Sequence, residues 1–337
     1  MEHRERTAVV ADLRLVPCPG PMDHNGSGPS FRYSDPGCLG TLNVSIAKVN
    51  FSVHCNDMPV LVETRHVSYA PFLTEKAVSA VGSLTIDVVL NTKEFPSTEA
   101  LAEIFEDCGS WAMFMNGEEH YLVINPSLAG GPESIVRFNP RFEKAVVYCG
   151  DMDIVEVAGK KMVRNPIIYP VDQLLLMYML ADREGALIHS SGIDFHGRGY
   201  MLSGRSGAGK STISKRFALA GHEVLSDDRI VVRKIDGELR MFGTPWSGEA
   251  GIAGNKDLPL HGIFFLHHGA ENLIKKITPT EAIERLIPVT SIPWYDKSVL
   301  SRILNFCEEI VSACPAYDLV FRRDIDVKDV FENFIPK

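Results

Sequence analysis

Nine consecutive residues, Gly204-Arg205-Ser206-Gly207-Ala208-Gly209-Lys210-Ser211-Thr212, have the types and spacing needed to hold a polyphosphate. They fit the pattern G-x-x-x-x-G-K-S, a P-loop. In such a loop the glycines let backbone N–H groups turn inward around a β-phosphate, and the following helix adds positive potential at its N-terminus. Lys210 is then placed to bridge the terminal phosphates and the Ser211 hydroxyl to ligate Mg²⁺, so ATP and Mg²⁺ are the expected cofactors.

Acidic groups follow at short range. Asp227-Asp228 closes the run Glu223–Ser226, 17 positions after Lys210. A carboxylate at the tip of a strand beside the loop faces the metal, and a second one suits general-base work on a hydroxyl that loses its proton as it attacks phosphorus. The pair therefore predicts a base and a metal contact, in either order, with Asp228, Ser211 and Glu249 as the metal candidates. Glu249 is the single acidic residue of the loop Gly243-Thr244-Pro245-Trp246-Ser247-Gly248-Glu249, which otherwise reads as a turn with a packed Trp. His189 ends the strand before the P-loop strand, and neighbouring strands deliver their ends to a common crevice, which places it near the phosphates or the acceptor. Arg302, Arg322 and Arg323 are additional cations, more simply read as exposed; His267-His268, Cys307 and Cys314 lack metal-ligand spacing and read as core or surface residues.

These side chains need a strand before the loop and a helix after it. Gly199–Ser203 and Lys210–Ala220, the latter closed by Gly221, supply both. Val171–Arg183 is a strongly apolar helix, Gly185–Ile188 enters a strand, and Ile230–Lys234 with Arg240–Phe242 flank an Asp236-Gly237 turn. Thr278-Pro279-Thr280-Glu281 is a capping box, and Asp296 caps a helix reaching to about Cys314. Residues 166–337 thus form an α/β unit. Residues 41–165 read as a β-rich α+β domain: short apolar runs at Leu42–Ala47, Asn50–His54, Pro59–Glu63, Thr85–Leu90, Trp111–Met115 and Tyr121–Asn125, an Asn116-Gly117 hairpin turn, and one helix over Ser97–Asp107 stopped by Gly109. Residues 1–40 are rich in Pro, Gly and Ser and are expected to be poorly ordered.

Composition narrows the partners. With 34 Lys and Arg against 43 Asp and Glu the 337-residue chain carries a formal charge of −9, which argues against broad binding to nucleic acid or an anionic membrane. No apolar run approaches the roughly 18 residues that cross a bilayer, and no secretory signal opens the chain. Seven dispersed cysteines without a Cys-x-x-Cys pair read as reduced thiols, so a cytoplasmic location is expected.

The run from Leu187 to Arg233, with His189, Gly204–Ser211, Gly221-His222 and Asp227-Asp228-Arg229-Ile230, resembles the catalytic domain of HPr kinase/phosphorylase, the seryl kinase of a sugar phosphotransferase carrier protein. The resemblance implies a P-loop on a mixed sheet, related to phosphoenolpyruvate carboxykinase, and in-line transfer to a serine-type hydroxyl. It implies that one of Asp227 and Asp228 is the base, that the other helps hold Mg²⁺, that His189 lies near the acceptor, and that the chain self-associates. The chain also departs from that pattern. Thr212 stands where the family usually has Glu, and no Glu-x-Arg-Gly-x-Gly signature follows the Asp pair, the Gly243–Glu249 loop occupying its region. The chain looks more like divergent HPr-kinase-like proteins found beside peptide-modification genes. The expected activity is ATP- and Mg²⁺-dependent phosphorylation of a hydroxyl on a peptide, protein or small molecule. The rival is an ATP-binding regulatory or adaptor module that has no need of a base or an acceptor pocket.

Overall fold

The computed structural model describes residues 41–61, 64–74, 84–90, 95–126, 131–139, 141, 144–157, 159–204, 207–322, 331–332 and 334. Expectations for residues 1–40, and for Arg205, Ser206 and Arg323, lie outside the described residues. The first half is built from β1 (Thr41–Ile46), β2 (Val49–His54), β3 (Val60–Leu61), β4 (Leu84–Leu90), β5 (Ala102–Asp107), β6 (Trp111–Asn116), β7 (Glu119–Ile124), β8 (Ser134–Phe138), β9 (Lys144–Cys149), β10 (Ile154–Val157) and β11 (Lys160–Arg164). Among the described residues eight of these form one sheet, in the order β1-β2-β4-β9-β8-β7-β6-β5, and β10, β11 and β3 form a small second one.

Two expectations for this half need correction. Ser97–Asp107 is not a helix. Its apolar Leu101, Ile104 and Phe105 have helical spacing, but Ala102–Asp107 extends as the edge strand β5 against β6. Gly109, read as a helix stop, serves instead in the tight turn between the two strands, where it has φ +82°. The aromatic residues decide the contest, because Phe105 packs 4.9 Å from Trp111 and 4.7 Å from Tyr295 between ring centroids. The β6–β7 hairpin forms as expected with its turn shifted by one residue: Asn116 pairs with Glu119, so Gly117-Glu118 is the loop, and of these only Gly117 has positive φ. A turn with that requirement at its first central position alone is of type II′.

The second half contributes α1 (Val171–Ala181), β12 (Gly185–Phe195), β13 (Arg198–Ser203), α2 (Lys210–Leu219), β14 (Val224–Ser226), β15 (Arg229–Ile235), β16 (Glu238–Gly243), β17 (Asp257–His268), β18 (Leu273–Lys276), α3 (Pro279–Leu286), α4 (Lys297–Ala313) and β19 (Ala316–Phe321). Its strands run β13-β12-β15-β16-β17-β19-β18, with β14 beside β12, and β13 also pairs in parallel with β17. This is a mixed sheet. The β15–β16 turn has positive φ at both Asp236 and Gly237, as a type I′ turn requires, and the capping box at Thr278 and the Asp296 cap are both formed.

All eleven residues of α1 are buried. This helix is apolar on every side because it lies between the two halves, in one buried cluster with Val44 and Phe138 of the first sheet, Ile188 and Val231 of the second, and Ile303 of α4. Tyr178 meets Phe138 at 5.6 Å between ring centroids, and the Arg233 guanidinium donates to the Ala47 carbonyl at 2.6 Å. No described helix is long and apolar enough to cross a membrane.

Candidate active site

The long strand β12 organises the site. It turns at His196-Gly197 and returns as β13 with Ser190 opposite Ser203, so His189 comes level with Gly204. His189 therefore does not end its strand, as the sequence suggested. It sits within β12 and reaches the glycine-rich loop through an antiparallel hairpin. On its other side β12 pairs with β15, with His189 opposite Arg229, and β14 ends opposite Gly192. The link from β14 to β15 is Asp227-Asp228, which that register holds against β12: the Ser190 N–H donates to the Asp228 carbonyl at 2.8 Å and the Ser191 hydroxyl to the Asp227 carbonyl at 3.1 Å.

The loop is tightly supported. A Cβ at Gly204 would lie 2.8 Å from that of Ala208, and one at Gly209 would lie 3.2 Å from the Phe321 ring. Gly207 and Gly209 have φ +78° and +96°, values that glycine adopts without strain. Gly209 caps α2, whose first amides have no acceptor within the helix. Lys210 is 6% exposed and its Nζ donates to the Gly204 carbonyl at 2.8 Å. His268 makes a hydrogen bond to the Gly207 carbonyl at 3.1 Å, so a residue read as core or surface in fact braces the loop. The signal for it is positional only: β17 ends beside the loop because β13 and β17 are parallel.

The two aspartates have separate surroundings. Asp227 is fully buried, and its carboxylate accepts the N–H groups of Gly248 (2.9 Å), Ala250 (2.7 Å) and Ile252 (3.2 Å). Both its oxygens serve to hold the 248–252 loop. Asp228 is partly exposed, with Oδ1 3.4 Å from His189 Nδ1 and Oδ2 3.7 Å from Arg229 Nε. Arg229 is steadied in turn by the Ser291 hydroxyl at 3.0 Å. Burial holds the Lys210 ammonium below its usual pKa, opposed by Asp228 and assisted by Arg229. Burial and then the Lys210 charge hold His189 below 6.5, against the pull of Asp228, so its imidazole is neutral at pH 7.

Of the other expected groups, Ser211 is half-buried on the first turn of α2 and its hydroxyl makes no hydrogen bond to a described residue. Thr212 is exposed. Glu249 is exposed on the loop that Asp227 holds, and no hydrogen bond or ion pair joins it to Asp228 or Ser211. No group of three or more His, Cys, Asp or Glu side chains converges into a metal cluster among the described residues. Arg302 pairs with Asp182 at 3.3 Å, and Arg322 is tied through its backbone to Asn272.

The loop after β16 depends on a close backbone approach. A Cβ at Gly243 would sit 1.9 Å from the Gly254 carbonyl oxygen and 2.7 Å from that of Leu225. Gly243→Ala is expected to lower stability by about 3 kcal/mol, read as a fall in the urea midpoint, because backbone rather than a flexible side chain has to move.

Beside Asp228 lies a cleft of about 400 Å³ whose lining includes Tyr69, Tyr169, Gln173, Arg229 and Trp246. Beneath it Asp172 accepts hydrogen bonds from the Tyr69 hydroxyl and from Trp246 Nε1, the latter at 2.8 Å, joining the first half, α1 and the Gly243–Glu249 loop. The sequence showed a packed Trp here but not its acidic partner. Complete burial pushes Asp172 up to about 7. Because its pKa is higher folded than unfolded, Asp172 favours the folded state most at acid pH, and that contribution is lost as pH rises from about 4 through 7. The melting temperature is expected to fall over pH 5 to 8 in the wild type and to fall less in Asp172→Asn.

No family model matches. Over 118 residues the chain is 30% identical to the HPr kinase/phosphorylase of Lactiplantibacillus plantarum, a match spanning 35% of each protein. Among solved structures, the Hpr(Ser) kinase/phosphatase from Coxiella burnetii aligns over 44% of this chain and 95% of its own at 13% identity, with a TM-score of 0.28. The sequence match supports a distant, HPr kinase-like relationship.

Proposed function

We propose that this chain is a kinase that transfers the γ-phosphoryl group of ATP, with Mg²⁺, to a serine-type hydroxyl. The observation that carries the reading is the Asp228 carboxylate, which lines the cleft on one side and lies within electrostatic reach of the loop lysine on the other. Residues 204–212 act as the P-loop. Their amides and Lys210 offset charge on the β- and γ-phosphates, and neutralising that charge is most of what phosphoryl transfer demands. Asp228 accepts the hydroxyl proton. The neutral His189, 3.4 Å away, orients that carboxylate, and Arg229 limits its spread of positions from the other side.

The residues fit Mg²⁺. It is held by few protein groups and otherwise by phosphate oxygens and water, and the Ser211 hydroxyl is an uncommitted ligand on the first turn of α2. Bound there, the ion would withdraw charge between the β- and γ-phosphates. Asp227 keeps the 248–252 loop in place and takes no proton. This reading assigns the catalytic machinery to residues 166–337 and part of the acceptor cleft to residues 41–165. Transfer of labelled γ-phosphate from ATP to a pool of serine- and threonine-containing peptides tests it. Labelling is expected with the wild type and not with Asp228→Asn, and equal labelling by both would overturn it.

A further inference from the structure

Two adjacent histidines end β17 and are sent to different partners, as alternation along a strand requires. His267 Nε2 meets Asp318 Oδ1 at 2.9 Å, whereas His268 Nε2 meets the carbonyl oxygen of Gly207, in the glycine-rich loop, at 3.1 Å. A carbonyl oxygen only accepts, so Nε2 of His268 carries the proton and donates it. The imidazole is held for this contact. It lies 5.1 Å from the buried Phe321 ring between centroids, its partner across the parallel β17–β19 ladder, and the next N–H along the chain, that of Gly269, donates to the Phe321 carbonyl at 3.1 Å.

The consequence falls on the other end of the same peptide unit. Among the described residues the only cis peptide bond is Tyr169-Pro170, so Gly207-Ala208 is trans, and in a trans peptide the N–H points opposite to the C=O. With the Gly207 carbonyl drawn toward β17, the Ala208 N–H is turned away from it, and that N–H makes no hydrogen bond to a described residue. Ala208 stands between Gly207 and Gly209, at φ +78° and +96°, an alternation of backbone hand that lines up successive N–H groups into an anion-binding concavity. The β17 side of the loop is filled: a Cβ at Gly204 would lie 3.3 Å from Leu266, and one at Gly209 3.2 Å from Phe321. A polyphosphate therefore approaches from the side to which the Ala208 N–H is turned.

We propose that His268 is a positioning residue for nucleotide binding, its Nε2–H fixing the Gly207-Ala208 peptide so that the Ala208 N–H is aimed at phosphate before the ligand arrives. This rests on the reading of residues 204–212 as a P-loop and adds to it a residue 58 positions downstream of Lys210. His268 touches no reacting atom. It acts by removing the wrong orientations of one donor, which lowers the cost of binding and of stabilising charge on the phosphates.

The experiment is calorimetric titration of the full-length protein, in the presence of Mg²⁺, with a non-hydrolysable ATP analogue and with inorganic tripolyphosphate. His268→Phe keeps an aromatic ring against Phe321 and removes the donor; His268→Gln places an amide N–H where Nε2 was and removes the ring; His268→Leu repeats the donor deletion without aromatic bulk. The side chain is exposed at a strand end, so all three are expected to melt near the wild type. Kd for both ligands should rise about fivefold in His268→Phe and His268→Leu, the size of one net hydrogen bond, and stay within about twofold in His268→Gln. Equal weakening by Phe and Gln would make the contact one of packing and overturn the proposal, as would unchanged affinity in both Phe and Leu variants. A loss confined to the ATP analogue, with tripolyphosphate unaffected, would move His268 to the base or ribose and overturn it too. If the wild type binds neither ligand, the P-loop reading itself fails and the proposal with it.

Discussion

Asp228→Asn will lose between about a hundredfold and ten-thousandfold in kcat with its melting temperature little changed, whereas Asp227→Ala will fail to hold its fold. The two carboxylates are adjacent in sequence and opposite in employment. Asp228 is partly exposed, meets His189 and Arg229 at 3.4 and 3.7 Å, and opens on the cleft, so on the proposed kinase reading its replacement removes a base whose usual contribution is of that size. Asp227 is fully buried and accepts three backbone N–H groups. Removing it leaves three part-buried backbone donors of the 248–252 loop without their acceptor, at up to about 1–3 kcal/mol each, a loss comparable with much of the stability of many domains. Denaturant unfolding and single-turnover phosphoryl transfer on both variants check this. Raised Mg²⁺ adds a further arm: if Asp228 is the base, excess Mg²⁺ does not restore the Asn variant, and restoration would make Asp228 a metal ligand instead.

The second large effect is at Lys210. Lys210→Ala should lower turnover by at least about a hundredfold, in the range found when one preorganised donor to a developing charge is removed. The fold should survive. The side chain is 6% exposed and its ammonium sits below its usual pKa because of burial, so its removal also relieves a desolvation cost that the Gly204 carbonyl and the nearby Asp228 charge help to offset. A cooperative unfolding transition near that of the wild type, together with the loss of turnover, separates this outcome from simple destabilisation.

The elements that frame the candidate site were legible in the sequence where they depend on local pattern. Gly204–Ser211 needs only a strand before and a helix after, and both are adjacent in the chain. The Asp236-Gly237 turn and the caps at Thr278 and Asp296 are local as well. Where the answer depends on register or on distant partners, the sequence was silent or misleading. Asp227 and Asp228 are indistinguishable as letters, and only the path of residues 248–252 assigns one of them to structure. His189 was expected at a strand end, yet β12 continues to Phe195 and delivers it by antiparallel pairing. Ser97–Asp107 carried helical spacing and became partly strand, because an aromatic edge pairing outweighed periodicity. The Tyr69–Asp172–Trp246 network joins residues from three separate regions of the chain, and no local signal announces it.

On the proposed reading, residues 204–212 bind a nucleotide polyphosphate together with Mg²⁺. Calorimetric titration of the full-length protein with a non-hydrolysable ATP analogue, with and without Mg²⁺, on wild type and Lys210→Ala, tests it most directly. Saturable binding to the wild type is expected, strengthened by Mg²⁺ and lost or weakened at least tenfold in Lys210→Ala. Absence of binding to the wild type, or equal binding by a folded Lys210→Ala, would contradict it.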